Sequence, residues 1–354
     1  MVDLLQRTAR LVGVPSVSQD EARLADEVEA ELRGIGRLAV DRVGDNVVAR
    51  TSLGRSCRLV LAGHLDTVPP NGNETPRIEG DELWGVGAAD MKGGLAVMLE
   101  LAKAVANPVV DVTWAFYTGE EIAPVHNGLG HLFRDQPELV SGDVALLGEP
   151  TGGAIEAGCQ GTMRLQIVLV GRRAHTARPW MGRNAIHRAG DLLSRLAAYE
   201  PRRPVLDGCE FREAVEAVHI EGGVAGNVVP DRVTVTVNVR FAPDRTAEQA
   251  EGQLRDLLAG VLEPDDEVAV VDVAGPAPPA LTHPMLAALR DRNHLPVRAK
   301  LGWTDVARFA AAGIPAANFG PGRSELAHNA DERVERSSLE SVYAALEDLL
   351  NCGP

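Results

Sequence analysis

The 354-residue sequence predicts an α/β chain interrupted by an inserted ferredoxin-like α+β unit. Three observations carry that. Helical and strand-like runs alternate up to about residue 160 and again beyond about 276, the stretch between them follows a β-α-β-β-α-β order, and acids and histidines suited to one metal site lie on both sides of it.

In the first stretch, apolar residues recur at helical spacing over 2–13, 20–34 and 91–105. Short runs rich in Val and Leu at 46–50, 57–62, 112–117 and 143–147 read as strands. The middle stretch reads as strand 162–170, helix 184–199, strands 216–222 and 232–241, helix 246–260 and strand 267–274. The Pro-rich run at 275–280 then breaks the pattern as a hinge. Alternation returns with a helix from 284, a strand near 297–300, a helix from 304, a strand near 315–319 and a last helix from 337.

At roughly 100–200 residues per domain, the length suits two domains. Since candidate ligands flank the insert, 1–160 and 276–354 should form one domain and 161–275 the other. The formal charge of -15 excludes general affinity for nucleic acid or an anionic membrane, both of which need a basic field. Residues 1–14 lack the apolar core of a signal peptide, and no run is long and apolar enough to span a bilayer. Cys57, Cys159, Cys209 and Cys352 show no C-x-x-C spacing, which points to reduced thiols and a cytoplasmic setting.

The chemistry gathers at His64, Asp66, Asp90, Glu120, Glu121, Glu149 and His328. Each sits where a strand or apolar run gives way to a turn, and in an open α/β sheet such strand ends converge on one crevice. His64 and Asp66, two apart, leave the same side of a strand, so the carboxylate can fix the imidazole tautomer. A structural His–Asp pair would look the same in isolation. Asp90 stands before a helix, where it can either cap the helix or bridge two ions. Glu120 and Glu121 end a buried run and point apart, so one can bind metal while the other serves as general base. Glu149 would be a costly anion at a strand end without a cation.

Together the set offers His64, Glu149 and a shared Asp90 to one ion, and His328, Glu121 and the same Asp90 to another. Oxygen and imidazole donors without cysteine suit two Zn2+ ions, with Co2+ or Mn2+ as substitutes. His175 lies within 157–190, a stretch with six arginines, Arg178 among them, and no acid. That segregation suits an anionic substrate, and equally a solvated face or a subunit contact. The other six histidines, His126, His131, His187, His219, His283 and His294, have no such company and read as structural or surface groups.

The segments Gly63-His-Leu-Asp-Thr, Gly87-Ala-Ala-Asp-Met-Lys-Gly-Gly, Gly119-Glu-Glu, Gly148-Glu-Pro, Arg173-Ala-His, Gly226-Asn-Val-Val-Pro-Asp, Gly302-Trp-Thr-Asp and Ala327-His follow one another in an order that resembles the M20 metallopeptidase family, end to end. The resemblance implies a dizinc aminopeptidase-like catalytic domain on a mixed sheet, with an inserted lid that also dimerises. It implies Glu120 as general base, Asp66 as partner of His64, and His175 and Asn227 as groups that hold the substrate, with Arg240 and Thr304 at further contact positions.

Within the family the likeness is nearest to the desuccinylases. That implies a homodimer that cleaves the amide of a small N-acyl amino acid, N-succinyl-LL-2,6-diaminopimelate. A deacylase of N-acetylornithine, another N-acyl amino acid or a dipeptide is the alternative, and a metal-binding module without catalysis is a third. Cys159-Gln160 stands where many relatives with the desuccinylase activity carry an arginine pair.

Overall fold

The computed structural model describes residues 2–354, which divide into two compact units. The first comprises the chain up to Gly158 together with Pro279–Ala299 and Thr304–Pro354. The second comprises Cys159–Pro278 and Lys300–Trp303.

The first unit is built on an eight-stranded mixed sheet. Its order is Ala39–Val43, Asn46–Arg50, Asp111–Tyr117, Arg58–His64, Val144–Leu147, Ala316–Asn318, Ile155–Ala157 and Val297–Ala299. Arg58–His64 lies parallel to both Asp111–Tyr117 and Val144–Leu147, which is in turn parallel to Ala316–Asn318. Every residue of Asp111–Tyr117 and Val144–Leu147 is buried, as expected of strands covered on both faces. Charged and ionisable side chains are confined to the ends of these strands.

The helix expected over 91–105 runs from Gly93 to Ala104, with ten of its residues buried. It packs on the sheet and against the last helix, Arg336–Cys352, which buries Leu339, Val342, Leu346 and Leu349. Glycine lets the backbone come close here. A Cβ on Gly94 would stand 2.3 Å from the Gly148 carbonyl oxygen, and one on Gly320 would also stand 2.3 Å from it.

The second unit is a four-stranded antiparallel sheet in the order Ala214–Gly222, Arg232–Phe241, Gly161–Val170, Glu267–Ala274. With the helices Ala185–Ala197 and Ala247–Leu257, the main elements follow the β-α-β-β-α-β order along the chain. Leu165, Ile167, Leu169, Val235, Val237 and Phe241 form one core with Leu192 and Leu254 from the helices. Thr246 and Gln249 close a capping box at the start of the second helix.

Residues 300–303 join this unit, a placement the spacing of the sequence does not suggest. Gln160 Nε2 donates to the Leu301 carbonyl at 3.0 Å, and Trp303 Nε1 to that of Gly275 at 3.1 Å. The edge strand Ala39–Val43 and the small sheet of Arg77–Glu79, Glu82–Trp84 and Arg333–Glu335 are also absent from the predicted elements. They are short and half polar, so their alternation is weak.

Candidate metal centre

The centre lies at the carboxyl ends of the parallel strands of the first unit, where open α/β sheets place their ligands. His64 closes its strand, buried, with its main-chain N–H 3.3 Å from Met91 Sδ. Its Nε2 is 3.1 Å from Asp90 Oδ1. On the other side, His328 Nε2 is 3.6 Å from Asp90 Oδ2 and 2.8 Å from Glu121 Oε1. Asp90 thus turns one oxygen toward each imidazole. Ligand atoms of His64, Asp90 and Glu121 all lie within 4.8 Å of one another.

Asp90 is not the N-cap of the following helix. That position falls to Lys92, while Asp90 has φ -118° and ψ 92°, outside helical geometry. Glu149 is buried at the neighbouring strand end and its charge acts on Glu120. It stands outside the tight group of His64, Asp90 and Glu121 among the described residues.

Asp66 meets His64 first through its main chain. His64 Nδ1 lies 3.0 Å from the Asp66 carbonyl oxygen and 3.5 Å from the carboxylate. The carboxylate itself accepts from the Ser18 hydroxyl at 2.7 Å and from the amides of Glu120 and Glu121, each at 3.1 Å. Asp66 therefore fixes the turn that carries both glutamates. Gly119, with φ +68°, makes that turn possible, and a Cβ there would stand 2.4 Å from the His126 carbonyl oxygen. Its amide donates to the buried Glu21 at 3.1 Å, and Asn46 Oδ1 accepts from the Thr118 amide at 3.0 Å.

Two further buried acids belong to this region, neither of them assigned a role from the sequence alone. Asp305 accepts from Asn127 Nδ2 at 2.9 Å and Arg308 Nε at 2.5 Å. Glu332 accepts from the Ala89 and Asp90 amides at 3.0 Å each. Their signal in the sequence is only neighbourhood: Asp305 ends the Gly302-Trp-Thr-Asp segment and Glu332 follows His328 by four.

The electrostatics are those of crowded acids. Burial pushes the Glu120 carboxyl well above its ordinary range; the charge of His64 opposes this, while Glu149, Asp305 and Glu121 add to it. Burial works against protonation of His64, yet Asp66 and Asp90 outweigh it and hold the imidazole well above the usual histidine range. The hydrogen bond to Glu121 raises His328 to about 9. Burial alone would raise Asp66, but His64, Ser18 and the Glu121 amide keep it low. Burial takes Glu332 up to about 7, against the amides of Asp90, Gly87 and Ala89. So many carboxylates in partly buried space call for cations, and oxygen and imidazole donors fit divalent ions.

His175, Asn227, Arg178 and Arg240 all belong to the second unit. His175 and Asn227 come together in it: Thr176 donates to the Asn227 carbonyl at 3.0 Å, and His175 pairs with Val228. The arginine segregation dissolves on folding. Arg164, Arg173, Arg183 and Arg188 pair with Asp272, Asp231, Glu263 and Asp266, acids from elsewhere in the chain. Among the described residues, Arg172 and Arg178 have no acidic side-chain partner. Thr304 belongs to the first unit and is buried, its hydroxyl donating to Asn318 Oδ1 at 3.1 Å. Of the six remaining histidines, His283 caps the Pro284–Asn293 helix.

A partly buried cluster of histidines and carboxylates, gathered at the strand ends and adjoining turns of this fold, defines a metallohydrolase class. The profile of peptidase family M20/M25/M40 matches residues 60–351, and the chain belongs to that family. It is 52% identical over 349 residues, 98% of both chains, to a Mycobacterium tuberculosis protein provisionally named succinyl-diaminopimelate desuccinylase DapE. It is 42% identical to the succinyl-diaminopimelate desuccinylase of Corynebacterium glutamicum, over 99% of this chain and 96% of the other. Among solved structures, a Staphylococcus aureus tripeptidase aligns with a TM-score of 0.81 at 21% identity, over 98% of this chain and 97% of that one. Bacillus subtilis YXEP, described as a dinuclear metal-binding peptidase of the M20 family, aligns with a TM-score of 0.72 at 17% identity, covering 98% of this chain and 96% of that one.

Proposed function

We propose that this chain hydrolyses N-succinyl-LL-2,6-diaminopimelate to succinate and LL-2,6-diaminopimelate. The observation that carries the reaction type is Asp90, with one oxygen toward each of two imidazoles. The acyl group follows from the names of the full-length relatives.

His64, Asp90 and Glu149 would hold one divalent ion and His328, Glu121 and Asp90 a second. Zn2+ suits these donors, with Co2+ or Mn2+ as substitutes. When bound, such a pair polarises a carbonyl and brings the pKa of water down to about 7. Glu120, held by Asp66 through its main chain, takes the proton of the attacking water and returns it to the leaving amine. His175 and Asn227 hold the substrate carbonyl and carboxylates. Arg178 and Arg240 add positive charge, the first exposed and the second half-buried.

The chain acts as a homodimer in this reading. Support comes from the Ala214–Gly222 strand, which is the edge of its sheet and exposes Val218 and Ile220. A cytoplasmic setting is in keeping with its free cysteines, and no helix among the described residues is long and apolar enough to cross a membrane.

One observation favours a neighbouring substrate. With four of the six arginines already paired, the case for a substrate of three carboxylates rests on fewer charges than the sequence suggests. Succinate release from the succinyl compound by zinc-loaded protein, beside N-acetylornithine and a chelated control, separates the two. Turnover of the succinyl compound alone supports the proposal; turnover of only the acetyl compound removes its substrate and keeps its chemistry.

A further inference from the structure

We infer that Glu332 is a positioning residue for the metal centre, setting Asp90 through two main-chain amides and His328 through the loop they share. The inference rests on the reading above, in which Asp90 and His328 hold cations.

Ala89 and Asp90 stand in the first turn after Gly87, where main-chain amides have no intrahelical acceptor. A single oxygen, Oε1 of Glu332, takes both the Ala89 and the Asp90 amide at 3.0 Å. The residue is almost fully buried, 1% exposed, and its own carbonyl accepts from Gly85 at 3.0 Å. Glu332 is thereby fastened to the 85–90 turn by side chain and main chain alike.

The same residue anchors the loop of the second imidazole. The Glu332 amide donates to the Asn329 carbonyl at 3.1 Å, and Asn73 Nδ2 donates to that carbonyl at 3.0 Å. Asn329 Nδ2 in turn donates to the Ala327 carbonyl at 3.0 Å, on the other side of His328. His328 has φ +62°, a left-handed conformation that a non-glycine residue keeps only when its surroundings hold it. Release of Glu332 would loosen both the shared carboxylate and the imidazole beyond it. Glu332 is not itself a member of the donor cluster of His64, Asp90 and Glu121.

The test is zinc content and its resistance to a competing chelator, measured on the parent, E332A, E332Q, E332D and D90A. Glu332→Gln keeps an oxygen for both amides. Glu332→Asp keeps the charge but withdraws the oxygen. The expected result is that E332A and E332D release zinc at chelator concentrations lower by about tenfold or more, with kcat reduced and KM little changed. E332Q should stay closer to the parent than either. Thermal melts of the zinc-free proteins identify any variant that fails to fold, and E332D serves if E332A does not. Parental zinc retention in E332A, or E332Q as impaired as E332A, overturns the inference while the parent and D90A still report on the site. A parent that binds no zinc, or a D90A that binds it normally, overturns the metal reading itself.

Discussion

The two sheets of this molecule use their surfaces in opposite ways. In the eight-stranded sheet the central strands are buried along nearly their whole length, and reactive groups stand only at the ends. In the four-stranded sheet one face packs on two helices, and the alternate residues Arg164, Gln166, Thr234, Thr236, Asn238 and Arg240 point the other way. Strand ends on a covered sheet can be held from several sides at once, as Asp66, Glu21 and Asn46 hold the Thr118–Glu121 turn. A sheet with one open face can change its polar residues without disturbing its core. Chemistry should therefore be concentrated in the first unit and adjustable selectivity in the second.

The largest expected effect tests the first half of that contrast. Glu120→Ala should lower kcat by about 10²–10⁴-fold while zinc content by metal analysis stays at the parental level. Loss of metal in that variant would place Glu120 among the ligands instead. In the second unit, Leu192→Ala should cost about 2–5 kcal/mol of stability by denaturant titration, as a cavity opens between helix and sheet. Metal retention at low temperature should be unchanged, and if zinc is lost as well the division of roles is wrong.

Asp66→Ala comes next. It strips the acceptor from the Glu120 and Glu121 amides, at about 1–3 kcal/mol for each donor left buried. Misplacing the base should lower kcat by on the order of 10²-fold. A variant with parental kcat would show that other contacts hold the turn. The smallest effect should come from one of the two arginines without an acidic partner: Arg178→Ala raises KM a few-fold at constant kcat, whereas Arg173→Ala, whose guanidinium already pairs with Asp231, changes neither. Equal effects from both would return substrate recognition to the whole arginine stretch.

Much of the architecture is legible in the sequence because glycine punctuates it. Gly63, Gly119 and Gly148 sit beside the acids and histidines at three strand ends, and the long runs between them are strongly periodic. The middle unit is legible for a similar reason, since each of its strands and helices is long enough to show its period. What the sequence hides is partnership across distance. Glu332 and Glu21 each follow an aspartate in polar surroundings, and only folding shows that their oxygens receive main-chain amides. The arginine stretch misleads for the converse reason, because the acids that neutralise it arrive from Asp231, Glu263, Asp266 and Asp272. Ala39–Val43 escapes notice because an edge strand with one solvated side need not be apolar.

The glycine contact at Gly148 reaches further than packing. Gly94, four residues after Asp90, and Gly320, eight before His328, both close on the carbonyl of Gly148, the residue before Glu149. Three segments that carry candidate ligands are spaced there by touching main chain. The interval between them is gauged by peptide groups, whose dimensions are the same in every protein, so the surrounding side chains can drift over generations without recalibrating the instrument.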